Sequence, residues 1–172
     1  ARCDAVVAEI AAAGYSGSAK AWALDVSDAE AIRATVADIA EEFGAIDILV
    51  NNAGFAIPAD ISQESYEQSW EPSLSVMLTA HQWMIRAALP HLKAAEHPRI
   101  DHITSTQRLG ATPGNSPHVA AKHGVVKPLR QLLLCQVRGR ASTSQRVALE
   151  LAAREVRGLL LVWLGGRRAI AF

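Results

Sequence analysis

Few side chains in this 172-residue chain are spaced for proton-transfer chemistry. His118 and Lys122 stand four residues apart in the stretch HVAAK, so a helix would put both on one face. An imidazole, with an ordinary pKa of about 6.5, exchanges protons close to neutrality and can act as a general acid. An adjacent ammonium disfavours the charged ring and lowers that pKa. Ser105 lies thirteen residues before His118, at the end of the run RIDHITS. A serine at a strand end in a Ser/Thr-rich loop is a turn residue on its own evidence. A Ser105–His118 hydrolase has no support, because the G-x-S-x-G elbow and an orienting acid are both missing. His81, His91, His97 and His102 show no metal-ligand spacing, so no metal is expected. Cys3 and Cys135 fit no metal or redox spacing and read as two free thiols.

A second stretch organises the chain. Asp47-Ile48-Leu49-Val50 ends abruptly in Asn51-Asn52-Ala53-Gly54. A short apolar run bounded by turn residues reads as a buried strand of a parallel sheet. The carboxyl end of such a strand is where open α/β sheets place ligands. Asn51 and Asn52 suit a turn, and Gly54 lets another molecule approach the main chain. The residues alone leave two readings open, a ligand-facing end and a merely tight one.

The elements that position these residues follow from period and punctuation. Residues 4–13 are strongly helix-forming and Gly14 is a natural stop. Lys20 to Leu24 reads as a strand ending at Asp25. Ser27 with Glu30 makes a capping box for a helix that runs to about Phe43, where Gly44 ends it. Ile32, Val36 and Ile39 share its apolar face. A long helical segment spans about Ser62 to Ala95, with Trp70, Leu74, Met77, Leu78, His81 and Ile85 on one face. Pro72 marks a first turn or kink in it, and Pro90 lies near its end. Arg99 to Thr104 is the next strand, residues 105–117 a loop, and about His118 to Val137 a helix kinked at Pro128. Residues 138–145 read as a linker, about 146–157 as a helix and 158–164 as a final strand. The tail GGRRAIAF carries no convincing pattern. Helix, strand, helix, strand is the rhythm of a parallel sheet with crossover helices.

IDILVNNAG, together with the Ser105, His118 and Lys122 spacing, resembles the short-chain dehydrogenase/reductase family. The resemblance covers roughly residues 1–130. It implies a Rossmann-like α/β fold, a doubly wound parallel sheet, and NAD(P)-dependent oxidoreduction of an alcohol/carbonyl pair. In that resemblance Asp25 contacts the adenine ring. Asn51, Ala53 and Gly54 border the adenosine half of the cofactor. Ser105 fixes the carbonyl oxygen. Lys122 holds the nicotinamide ribose, and His118 occupies the position of the proton-donating tyrosine. Arg2 would reach a 2′-phosphate and so favours NADP over NAD. The helices at 62–95 and 118–137 correspond to the family's subunit interface, which implies a homo-oligomer.

The departures are as specific. The family's catalytic tyrosine is His118 here, and Tyr15 and Tyr66 fall elsewhere. The family's active-site asparagine falls at Met77, which cannot hydrogen-bond a water relay. The first strand and its glycine-rich phosphate loop would lie upstream of residue 1. The chain is therefore expected to be a single incomplete dinucleotide-binding domain over residues 1–172, with 138–172 a divergent C-terminal part. The alternative function is a catalytically inactive relative that acts by binding or oligomerisation.

Bulk properties bound the partners. Half the residues are apolar and a fifth charged, which is ordinary globular composition. Net charge is zero, so no global field draws nucleic acid or a membrane surface. Residues 1–101 hold 15 acids against 6 Lys/Arg, and residues 102–172 hold 2 against 11. That asymmetry leaves two readings, a basic cleft for phosphates and a solvated basic surface pairing with the acidic half or with a partner subunit. No apolar run reaches the roughly 18 residues of a membrane span. A cytoplasmic protein acting on a small molecule is the expectation.

Overall fold

A helix with one apolar stripe needs a sheet to lie on, and this chain forms one. The structure is a computed structural model that describes residues 2–14, 17–105, 113–126, 159–164 and 167–171. For Arg2, Val126, 159–164 and 167–169 it describes the backbone alone. The elements are α1 (Arg2–Ala12), β1 (Ala19–Trp22), α2 (Ala29–Phe43), β2 (Ile48–Asn51) and α3 (Tyr66–Leu74). They continue with α4 (Ala80–Ala94), β3 (Arg99–His102), α5 (Ser116–Val126), β4 (Leu159–Leu164) and β5 (Arg167–Ala171). A π-helical stretch, Ser75–Thr79, joins α3 to α4.

The expected helix over the second apolar stripe is α2, and Ile32, Val36 and Ile39 on it are at most 1% exposed. Burying each of these side chains contributes about 1.5–3 kcal/mol. Gly44 ends it with φ 74°, its N–H donating to the Ala40 carbonyl at 2.8 Å. The N-cap differs from expectation. Asp28, not Ser27, accepts from the N–H groups of Glu30 and Ala31 at 2.8 and 3.1 Å. Ser27 is held one step earlier, where Asp25 Oδ1 accepts from both its N–H and its hydroxyl. An Asx turn has taken the hydroxyl that a cap would need.

The sheet has five strands in the order β1-β4-β5-β2-β3. β2 pairs parallel with β3 and with β5, as a crossover sheet requires. β4 runs antiparallel to both β1 and β5, so the sheet is mixed rather than wholly parallel. The tail that showed no sequence pattern is β5. It forms the inner neighbour of β2, with Leu49 opposite Ile170 and both completely buried. Arg167–Ala171 has weak strand character by itself, and its state is decided by hydrogen bonds to two flanking strands. The hairpin β4–β5 thus fills the centre of the sheet between β1 and β2. The core joins Leu24, α2, Ile46 and Leu49 to Met84, Ile85, Ala88 and Leu92 of α4, with Ile100, Val125 and Ile170.

The long helical segment expected from residue 62 begins at Tyr66 and is continuous through the π stretch to Ala94. Pro72 is the seventh residue of α3, not a first-turn residue. It removes one N–H and crowds the carbonyl four residues back, and the π stretch begins three residues later. Gly14, after α1, has φ 69° and supplies the expected stop. Arg2 opens α1. The expected linker at 138–145, the helix at 146–157 and the kink at Pro128 lie outside the described residues. Among the described residues no helix is long and apolar enough to cross a membrane.

Candidate active site

The carboxyl ends of β2 and β3 are bound to each other and then to α5. Ile103 N–H donates to the Asn51 carbonyl at 2.8 Å, extending the ladder one step past β3. The chain then turns through Thr104 and Ser105, both 3% exposed. It returns at Asn115, which bridges in parallel to Ala59, and enters α5 at Ser116. Pro117 is tolerated there because first-turn N–H groups have no partner within the helix.

One face of α5 carries both expected site residues, His118 at 2% and Lys122 at 5% exposure. Lys122 Nζ donates to the Ile103 carbonyl at 3.0 Å. His118 Nδ1 lies 3.1 Å from the Phe55 carbonyl. A carbonyl only accepts, so Nδ1 carries the hydrogen and Nε2 of the neutral ring does not. The helix thereby ties the strand end that carries Ser105 to the loop that follows Gly54.

Gly54 is the meeting point of these parts. A methyl group built on it would lie 3.4 Å from Met77 Sδ and 3.6 Å from Lys122 Nζ. Met77 is fully buried at the centre of the π stretch, so the irregular turn aims a thioether at this spot. A π turn inside a helix inserts a residue and re-aims the side chains around it.

Asp25 sits apart, exposed, past the end of β1. Because β4 is antiparallel to both β1 and β5, β1 points the same way as β2. Asp25 therefore shares the edge of Asn51. Three strand spacings separate β1 from β2, about 14 Å. That distance suits an extended ligand lying across the edge. The side chain of Arg2, the feature that favoured NADP, lies outside the described residues. Among the described residues no three His, Cys, Asp or Glu side chains converge as metal ligands.

Sequence reasoning missed one cluster. Asn51 is 2% exposed, and its Nδ2 lies 3.3 Å from His102 Nδ1. His102 in turn stacks on His81 of α4. The two histidines lacked metal-ligand spacing, and 21 residues separate them in the chain. The available signal was that each falls on a buried face, His102 two residues after Ile100 and His81 four after Met77.

Comparison with known proteins bears on these residues. The family model described as short chain dehydrogenase matches residues 1–136. The chain is 38% identical over 123 residues to a D-beta-hydroxybutyrate dehydrogenase of Cupriavidus necator, covering 72% of this chain and 47% of that one. It thus spans about half the length of the curated relatives it matches. The ligand-free aldohexose dehydrogenase of Thermoplasma acidophilum superposes with a TM-score of 0.62 at 27% identity, covering 70% of this chain and 48% of that one. A gluconate 5-dehydrogenase from Burkholderia cenocepacia, solved with NADP and tartrate, gives a TM-score of 0.71 at 24% identity. That superposition covers 82% of this chain and 54% of the other, and it shows a shared Rossmann-like fold.

Proposed function

Since the chain belongs to the short-chain dehydrogenase family, we propose that it serves NAD(P)-dependent oxidoreduction of a small alcohol/carbonyl pair at the edge of β2 and β3. The observation that carries the reading is the position of Lys122. Its ammonium is buried against Gly54 and bonded to the continuation of β3. A buried charge is costly, and a family ribose site is a reason to keep one there.

The residues fit two parts of a dinucleotide. In this reading Asp25 would contact the adenine ring, Asn51, Ala53 and Gly54 would border the adenosine half, and Lys122 would hold the nicotinamide ribose. Among the described residues no glycine-rich turn provides a cradle of N–H groups for the pyrophosphate between them. When bound, the nicotinamide would accept or give the hydride. Ser105 would hold the substrate oxygen. Lys122 would hold the ribose. His118, with its hydrogen on Nδ1, offers an unprotonated Nε2 when neutral. It therefore acts as a base toward an alcohol more readily than as an acid toward a carbonyl. NAD and NADP both fit this reading. A cytoplasmic location and self-association through α3–α4 and α5 belong to the same proposal.

A specific observation favours a second reading. Met77 fills the spot beside Gly54 and Lys122 with a group that cannot relay a proton. The chain would then be catalytically inactive, acting by binding or by self-association. Titration with NADH and NADPH, followed by tryptophan fluorescence, tests the enzyme reading, and turnover of the cofactor-bound chain separates it from an inactive binder. Saturable binding supports the enzyme reading, and none up to millimolar cofactor sinks it. If binding occurs, His118→Tyr is expected to raise turnover.

A further inference from the structure

β2, β3 and α4 converge on three buried side chains, of which the proposed reaction uses only Asn51. The rings of His81 and His102 lie with planes 10° apart and centroids 5.3 Å apart. Their Nδ1 atoms are 3.2 Å from each other. With the Asn51 amide in its observed orientation, its N–H donates to His102 Nδ1, which then carries no hydrogen. The hydrogen between the rings therefore belongs to His81 Nδ1. One ring nitrogen accepts from two donors. Among the described residues Nε2 of both rings is buried without a partner, so these contacts are the polar ones seen to fix the rings there.

We propose that His102, held by His81, is the positioning residue for Asn51, and that a proton on His102 Nδ1 releases Asn51 from the cofactor edge. Protonation turns the accepting nitrogen into a donor that faces the Asn51 N–H, so that hydrogen bond is lost, while His81 keeps its contact by moving its own hydrogen to Nε2. The second ring makes His102 a better latch than an asparagine or serine would be, because stacking fixes its plane.

The surroundings set the poise. Burial pushes His102 down to about 4, with Asp101 on its own strand opposing the shift and Lys122 of α5 adding to it. Burial also lowers His81 well below its ordinary value, helped by His102 and Lys122. Both rings are neutral at physiological pH, which is the state the geometry requires. No other charged group is implicated by these contacts among the described residues. The latch stands on geometry alone. Only its effect on cofactor binding rests on the proposed function.

The test is a pH titration of the isotope-labelled chain by NMR, from about pH 7 to about pH 4. At neutral pH, His102 is expected to carry its hydrogen on Nε2 and His81 on Nδ1. As His102 titrates, the Asn51 side-chain amide resonances should move with it, while circular dichroism still reports a folded chain. In His102→Asn, a neutral side chain that does not titrate, the Asn51 signals should stay fixed over the same range. An Asn51 amide that ignores the titration of His102, or His102 carrying its hydrogen on Nδ1 at neutral pH, overturns the proposal. The wild-type titration decides the matter even where the variant fails to fold. NADH affinity, measured in parallel, should fall about twofold as the pH reaches the His102 value of about 4 in the wild type and stay flat in His102→Asn. Absence of NADH binding at every pH would defeat the dehydrogenase reading and leave the NMR result to judge the latch.

Discussion

Gly54 and Lys122 occupy one spot, since a methyl built on the glycine would stand 3.6 Å from the lysine Nζ. That separation, and the 3.4 Å to Met77, is ordinary van der Waals contact. Gly54 also has no positive φ, unlike Gly14, Gly44 and Gly114. Gly54→Ala is therefore expected to keep its unfolding free energy within about 0.5 kcal/mol of wild type, measured by urea denaturation. A loss several times larger would mean that the fold itself demands the glycine. An unchanged fold with weakened NADH binding would place the demand on the ligand.

Lys122 acts on the buried histidines as well as on Gly54. Its charge lowers the pKa of both His81 and His102. Replacing it by methionine removes that repulsion, so His102 in Lys122→Met should titrate above its wild-type value of about 4. Histidine ring shifts in an NMR titration give the answer directly. A downward movement would place the lysine charge away from the pair.

Stability should fall in mild acid for the same reason. The folded-state pKa of His102, about 4, lies below the 6.5 of an unfolded histidine. Between those values the unfolded chain binds more protons than the folded one. His102 therefore leaves stability untouched above about pH 6.5 and costs about 3 kcal/mol by about pH 4. His81 adds to the loss in the same direction. Denaturant midpoints across that range, compared between wild type and His102→Asn, should show a shallower decline in the variant.

The helix cap offers a sharper test of local structure. Asp28 receives two backbone N–H groups at the start of α2, whereas Ser27 is engaged by Asp25. Asp28→Ala should cost about 1 kcal/mol of stability, and Ser27→Ala clearly less. Thermal melts of the two variants rank them. The reverse ranking would restore the capping box that the sequence suggested.

Much of the frame was legible in the residues. α2 could be read because its stripe, its stop at Gly44 and its length are all local properties. β2 and its Asn-Asn-Ala-Gly turn were legible for the same reason, as was the i, i+4 pairing of His118 with Lys122. β5 was not, since two arginines, two alanines and one isoleucine prefer a strand only when β4 and β2 stand on either side. The π stretch was not legible either. It begins three residues after Pro72 within a long helix, and no residue between Ser75 and Thr79 announces it.

By itself the sequence determined the family, the order of the main helices and strands, and the candidate set Asp25, Asn51, Ser105, His118 and Lys122. These follow from short-range patterns and motif spacing, which survive whatever the rest of the chain does. Tertiary structure decided the remainder. It placed a C-terminal hairpin in the middle of the sheet, put Asp25 on the same edge as Asn51, and brought Met77 to Gly54. It also stacked His81 on His102 beneath Asn51. Each of these joins residues distant in the chain, and such contacts form only because burying apolar faces against one sheet leaves few arrangements that pack.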